Sequence, residues 1–291
     1  MKPAPFDYQA PDTLRDAIDL LASNPAALVI AGGQSLMPVL AYRLATPSLL
    51  VDLRRLPGLG NIALGADGPR LGALVRWRDI EDDRRLMAAH PLLRAAVTHV
   101  AHYQIRNRGT VGGSLAHADP AAELPGVAVT CEGEITLCGP IGSRTVRAGD
   151  FFTGPLSTLR EPDEIVTELH LPKWPGGRRW AFQEYARREG DFALAGILLF
   201  YDEDGQGALS NPHVGVIGAC QRPHRLTRVE TALSGHVLDD DLIRQAAVTA
   251  AKEVDPPDDL HADAAYRRGL VAMLIERGLR ASAQHGSAGC A

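Results

Sequence analysis

The sequence predicts an α+β protein, and three observations carry that assignment. Strand-like and helical segments alternate through the first half without the even beat of a doubly wound parallel sheet. A turn-rich stretch, Pro172-Lys173-Trp174-Pro175-Gly176-Gly177, separates two strand-like runs and marks the best boundary. Beyond it strands come first and helices after, the segregated order of an α+β unit.

The elements follow in order. Asp12 is read as the N-cap of a first helix, with Leu14, Ala17, Ile18 and Leu21 on one face, which stops at Asn24-Pro25. Ala27 to Ile30 is a short apolar run with β-branched members, read as a buried strand that leads straight into Gly32-Gly33. Ser35 opens a second helix, with Leu36, Val39, Leu40 and Leu44 on its buried side. Ser48 to Leu53 and Arg70 to Arg76 read as strands. Pro91 to Tyr103 is helical in pattern, and its periodicity breaks at Arg106-Asn107-Arg108-Gly109. Val127 to Cys131, Glu134 to Leu137 and Glu164 to Leu171 are three further strand-like runs. Past the boundary, strands near Phe192 to Phe200 and Val214 to Ala219 precede helices that begin near Asp240 and run from Ala264 to Leu279. The small, polar tail from Ser282 to Ala291 is expected to be disordered.

Composition narrows the class of function. At 291 residues, with 45% hydrophobic and 22% charged side chains, the chain can bury a substantial core as one large domain or two modest ones. A formal charge of −5, with basic residues scattered or paired, gives no nucleic-acid footprint. No apolar stretch approaches the ~20 residues of a membrane span, and no signal-peptide core follows Met1-Lys2-Pro3-Ala4-Pro5, so a cytoplasmic protein is expected. Cysteines at 131, 138, 220 and 290 form no CxxC pair, which removes zinc ribbons and iron–sulfur clusters from consideration. Cys131 and Cys138 flank a hairpin expected at 132–137 and are read as reduced thiols.

Two glycine segments resemble each other: Ala31-Gly32-Gly33-Gln34-Ser35-Leu36 and Val111-Gly112-Gly113-Ser114-Leu115-Ala116. The first joins a strand to a helix, where glycines admit close backbone approach and successive N–H groups cradle an anion. Gln34 and Ser35 add side-chain donors suited to a phosphate or pyrophosphate, although a tight turn with a serine cap accounts for the same residues. Thr110 and Ser114 add hydroxyls to the second segment. Asp119 or Ser114 is a candidate cap for a helix beginning at Pro120, with Glu123 in its first turn. That carboxylate suits sugar or ribityl hydroxyls and suits plain capping equally well. Neither segment matches GxGxxG or GxxxxGK[ST], and HExxH, GxSxG and clustered metal ligands are absent. His99 and His102 read as packed or solvated residues, while His117 falls within the second loop.

These residues carry a family pattern. Ala31 to Leu36, with Arg43-Leu44-Ala45-x-Pro47 and Val51-Asp52-Leu53, resembles the first FAD loop of the medium subunits of carbon monoxide dehydrogenase and other members of the xanthine dehydrogenase (molybdenum hydroxylase) family. Gln104 through Pro125, containing Arg106-Asn107-Arg108-Gly109-Thr110-Val111-Gly112-Gly113-Ser114, is similar to the second loop and is the most specific stretch. Phe151-Phe152-x-Gly154, Glu164-Ile165-Val166, Arg187-Arg188-x-Gly190-Asp191-Phe192-Ala193 and Gly215-Val216-x-Gly218 extend the pattern over nearly the whole chain.

The resemblance implies a two-subdomain FAD-binding fold of the vanillyl-alcohol-oxidase/PCMH type over residues 1–173 (subdomains about 1–55 and 56–173), followed by a C-terminal α+β domain over 178–281. It implies non-covalent FAD, with Ala31, Gly32, Gly33, Gln34, Ser35 and Leu36 and with Thr110, Gly112, Gly113 and Ser114 at the pyrophosphate and flavin. Glu123 would face the ribityl chain, and Ile165 and Val166 would pack on the isoalloxazine. Gln34 stands where a covalently attached relative needs histidine, and no lysine stands near Gln183-Glu184-Tyr185, where some relatives carry one beside the ring. The implied partners are a large molybdenum-cofactor subunit and a small 2Fe–2S subunit, with NAD, a quinone or oxygen as external acceptor. No substrate-oxidising residue is expected in this chain. A stand-alone flavin oxidoreductase and a flavin- or nucleotide-binding scaffold without a redox role are the rival readings.

Overall fold

The computed structural model describes residues 2–284. The chain opens with β1 (Asp7–Gln9), α1 (Leu14–Ser23), β2 (Ala27–Ile30), α2 (Leu36–Ala41) and β3 (Leu49–Asp52), which form a parallel sheet of order β1-β3-β2. All four residues of the central strand β3 are buried, and Leu49 and Val51 pack with Ala17, Ile18 and Leu21 of α1. Thr13, rather than Asp12, caps α1: its hydroxyl accepts the Asp16 N–H at 3.1 Å. Leu44 is 78% exposed instead of buried, because α2 ends at Ala41 and the chain turns away through Arg43 at φ +56°.

The middle of the chain supplies β4 (Ile62–Gly65), β5 (Gly68–Gly72), α3 (Trp77–Asp82), α4 (Arg84–Ala89), α5 (Pro91–Val97), α6 (Tyr103–Arg106), α7 (Val111–His117) and α8 (Glu123–Thr130). After these come β6 (Glu134–Gly139), β7 (Gly142–Arg147), α9 (Ala148–Phe151), β8 (Phe152–Gly154), β9 (Ser157–Thr158) and β10 (Ile165–His170). Strands β4-β5-β10-β6-β7 make an antiparallel sheet in that order.

Several expectations change here. Residues 127–130 are helix, not strand: α8 buries seven of its eight residues, and a short helix buried all round shows no periodicity to separate it from a buried strand. The hairpin expected at 132–137 is a turn followed by one strand, and the true hairpin joins β6 to β7. The strand expected through Arg76 stops at Gly72. The single helix expected from Pro91 to Tyr103 ends at Val97, and the chain restarts as α6 after Ala101 at φ +42°. Arg106 holds that break by donating to the carbonyls of Val100 (3.1 Å) and Ala101 (2.9 Å).

Lys173 to Arg178 lead into β11 (Arg179–Tyr185), β12 (Ala195–Glu203), β13 (Leu209–Ile217) and β14 (His224–Arg225), an antiparallel sheet in sequence order, followed by α10 (Thr227–Leu233), α11 (Asp240–Glu253) and α12 (Ala264–Gln284). Strand β12 is buried on both faces. Ile197, Leu199 and Tyr201 meet the C-terminal helices, whereas Leu198 and Phe200 join the core around α5 and α8. The sheet is therefore the shared floor between the C-terminal helices and the middle region. Helix α12 runs past Ser282, whose hydroxyl donates to Leu279 O at 2.8 Å, so the tail expectation fails up to Gln284; residues 285–291 lie outside the described residues. No helix among the described residues is long and apolar enough to cross a membrane.

Candidate functional site

A cavity of about 580 Å³ opens where the first sheet, α7, α8 and the start of β10 meet. Ligand pockets commonly occupy about 300–1,000 Å³. All thirteen site residues expected from the sequence line it: residues 31–36, then Thr110, Gly112, Gly113 and Ser114, then Glu123, Ile165 and Val166. His117 also lines it. His99 does not; it packs edge-on against Phe182 with ring centroids 4.9 Å apart.

The first segment builds an open turn between β2 and α2. A Cβ on Gly32 would overlap the Arg108 carbonyl, and Gly33 sits at φ +72°, so both glycines are required where the two loops touch. Gln34 folds back, its Nε2 donating to Gly32 O at 3.0 Å. Ser35 occupies the cap position of α2 without using its hydroxyl as a cap. The N–H groups of Gly33, Gln34 and Ser35 have no acceptor among the described residues. These unpaired donors, at a turn that enters a helix, form an anion cradle. A smaller cleft of about 410 Å³ shares this turn as a wall and adds Arg54 and Arg108.

The second segment is built differently. Thr110 caps α7, its hydroxyl accepting the Gly113 N–H at 3.2 Å. The glycines thus lie inside a helix rather than in a loop. Val111 N–H donates to Val75 O at 2.9 Å and Gly112 N–H to Ala73 O at 2.8 Å, so these amides are occupied by protein. A Cβ on Gly112 would come within 2.6 Å of the Ala73 Cβ, which makes that glycine a packing requirement. The helix expected from Pro120 begins at Glu123, with Ala122 at its cap position. Asp119 closes the turn before it by accepting the Ala121 N–H at 2.9 Å.

Glu123 therefore stands at the first residue of α8, facing the cavity. Burial raises its pKa to about 7, opposed by a hydrogen bond from its own backbone, with Asp119 adding to the rise. Behind it, Glu184 of β11 is raised to about 8 by burial and by the Glu123 charge, and its Oε2 is buried without a hydrogen-bond partner among the described residues. The family resemblance places 183–185 beside the ring, but it gives Glu184 itself no role. Ile165 and Val166 share the end of β10 but point opposite ways: Ile165 joins the core of the first sheet and Val166 the core of the helical region. The cavity lies at that junction, which explains its apolar wall.

Trp77, Arg160 and Phe192 also line the cavity. Phe192 falls within the family pattern, whereas nothing in the local sequence distinguishes Trp77 or Arg160. The site thus combines an unpaired amide cradle, hydroxyls, a buried carboxyl and an apolar wall. That donor set fits a flavin dinucleotide, with anion, polyol and ring met in turn.

Residues 4–174 match the family described as the FAD binding domain in molybdopterin dehydrogenase, and residues 180–282 match the CO dehydrogenase flavoprotein C-terminal domain. The chain belongs to the FAD-binding medium subunits of the molybdenum hydroxylases. It is 39% identical over 277 residues to the nicotine 6-hydroxylase medium subunit of Paenarthrobacter nicotinovorans, covering 95% of this chain and 97% of that one. Among solved structures, it is similar to carbon monoxide dehydrogenase from Hydrogenophaga pseudoflava, with a TM-score of 0.95 and 33% identity over 98% of this chain and 99% of the other. Quinoline 2-oxidoreductase from Pseudomonas putida 86 gives a TM-score of 0.94 and 36% identity, with the same coverage. The medium-subunit family consists of FAD subunits of oxidoreductase complexes, and this chain is one of them.

Proposed function

We propose that the chain holds FAD non-covalently in the large cavity, as the electron-carrying subunit between the 2Fe–2S clusters of a small partner and an external acceptor (NAD, a quinone or oxygen). A large molybdenum-cofactor subunit would oxidise the substrate and set its identity. When bound, FAD supplies the redox chemistry itself; the protein supplies binding, orientation and electrostatics. The amides of Gly33, Gln34 and Ser35 hold the pyrophosphate, with the Ser35 hydroxyl as a further donor. Gly112 and Gly113 let α7 approach without side chains, Thr110 fixes that helix, and Ser114 offers a hydroxyl. Glu123 accepts from ribityl hydroxyls. Ile165 and Val166 exclude water from the ring end. Residues 1–173 and 178–281 are read as the FAD-binding and C-terminal units.

The observation that carries this reading is the convergence of four separate sequence segments on one cavity. The visible spectrum of the purified complex, with chromatography of material released by acid, tests it. A two-banded flavin spectrum with FAD in the supernatant is expected. A complex with intact partner subunits and no flavin would overturn the reading. Turnover of substrate by the isolated chain would favour a stand-alone oxidoreductase instead.

A further inference from the structure

Among the residues lining the large cavity, Arg160 is the one lysine or arginine. It lies in the loop that enters β10, just ahead of Ile165 and Val166. Its Nη1 donates to the carbonyls of Glu161 (2.7 Å), Pro162 (3.3 Å) and Glu164 (2.8 Å). Those bonds anchor the guanidinium through one nitrogen. Its Nε and Nη2 find no acceptor among the described residues. Among the described residues no carboxylate forms an ion pair with it. Glu164, which also lines the cavity, is hydrogen-bonded by Arg144 through two bonds of 2.6 and 2.7 Å, and its carboxylate acts on Arg160 through charge alone, ahead of Asp163 and Glu161. Burial lowers the arginine's pKa, but a guanidinium stays charged at any working pH. The result is a fixed, half-buried cation with free donors on the same stretch of wall as Ile165 and Val166. A preorganised charge in such a place acts on whatever charge develops opposite it.

We propose that Arg160 faces the ring end of bound FAD and raises its reduction potential by stabilising the negative charge the ring gains on taking up two electrons and one proton. This rests on the reading that the cavity holds FAD with its ring at Ile165 and Val166. In the complex the electrons come from the partner's 2Fe–2S cluster; in the test they come from dithionite.

The test is the flavin midpoint potential and the affinity for oxidised FAD in the wild-type complex and in its R160Q and R160K forms. Glutamine keeps a donor for the loop carbonyls and removes the charge, and lysine keeps the charge. For R160Q, affinity for reduced FAD should fall at least tenfold more than affinity for oxidised FAD, which is a potential about 30 mV lower. R160K should stay near wild type. An unchanged potential in R160Q, equal weakening of both redox states, or an R160K potential as low as that of R160Q would each overturn the proposal. Should R160Q fail to fold, the wild-type complex decides through the N3–H ionisation of its oxidised flavin, followed by absorbance. A pKa below that of free FAD supports the cation at the ring, and one at or above it overturns the proposal. A wild-type complex without flavin would instead sink the FAD reading itself.

Discussion

Ala31-Gly32-Gly33-Gln34-Ser35-Leu36 and Val111-Gly112-Gly113-Ser114-Leu115-Ala116 share a Gly-Gly pair followed by small polar and aliphatic residues, yet they fold in opposite ways. In the first, the glycines make an open turn whose following amides are left without acceptors among the described residues. In the second, they lie in the first turns of α7, with amides bonded to Ala73, to Val75 (through Val111) and to the Thr110 hydroxyl. One segment offers donors to a ligand. The other offers a surface without side chains. The difference teaches that glycine pairs at a binding site serve two ends, freeing backbone donors or letting a helix come close, and that amide pairing distinguishes them.

The largest effects should come from the glycines themselves. Gly32→Ala drives a Cβ into the Arg108 carbonyl and should weaken FAD binding by about tenfold or more, roughly 1.4 kcal/mol, in a flavin fluorescence titration. Gly112→Ala should act mainly on the fold, costing about 1–3 kcal/mol by overpacking against Ala73 in urea denaturation. If its folded fraction loses FAD affinity as severely as Gly32→Ala does, the division of labour between the segments is wrong.

A pH effect of intermediate size separates the carboxyl pair from both segments. Burial raises Glu123 to about 7 and Glu184 to about 8 from an ordinary value of 4.5, so the folded state binds these protons more tightly than the unfolded chain does. Their contribution is fully present below pH about 4.5 and is lost as pH rises through about 7 and then about 8. The urea midpoint of the FAD-free chain should fall across that window, and Glu184→Gln should flatten the slope. A midpoint that rises with pH there would refute the assignment.

The hydroxyls give the smallest effects and the sharpest contrast. Thr110→Ala removes the α7 cap and should cost about 0.5–2 kcal/mol of stability. Ser35→Ala removes no cap bond, so stability should change by less than about 0.5 kcal/mol. Loss of its donor should instead weaken FAD binding by about 0.5–1.5 kcal/mol. Calorimetry with and without FAD reads both, and a reversed ranking would exchange the roles of the two segments.

The sequence alone carried the α+β class, the turn at Pro172–Gly177 and the strand Ala27–Ile30 to its residue limits, and the family resemblance named thirteen of the residues that line the cavity. The class, turn and strand were legible because they rest on local chemistry, turn formers and short apolar runs, whereas the thirteen rest on the match of glycine, hydroxyl and flanking residues to the family's order. Only the tertiary structure decided that residues 127–130 are helix, because burial on every side erases the periodicity that tells helix from strand. It also decided that Gly112 and Gly113 are helical, since their amides find acceptors on a segment more than thirty residues earlier or on a capping threonine. Arg160 lines the cavity through loop closure and Glu184 comes near Glu123 through strand pairing; local pattern gives neither a role, and only the resemblance points to 183–185. Pattern marks what a residue does with its neighbours in sequence, whereas a buried charge acquires its meaning from groups that only folding brings near.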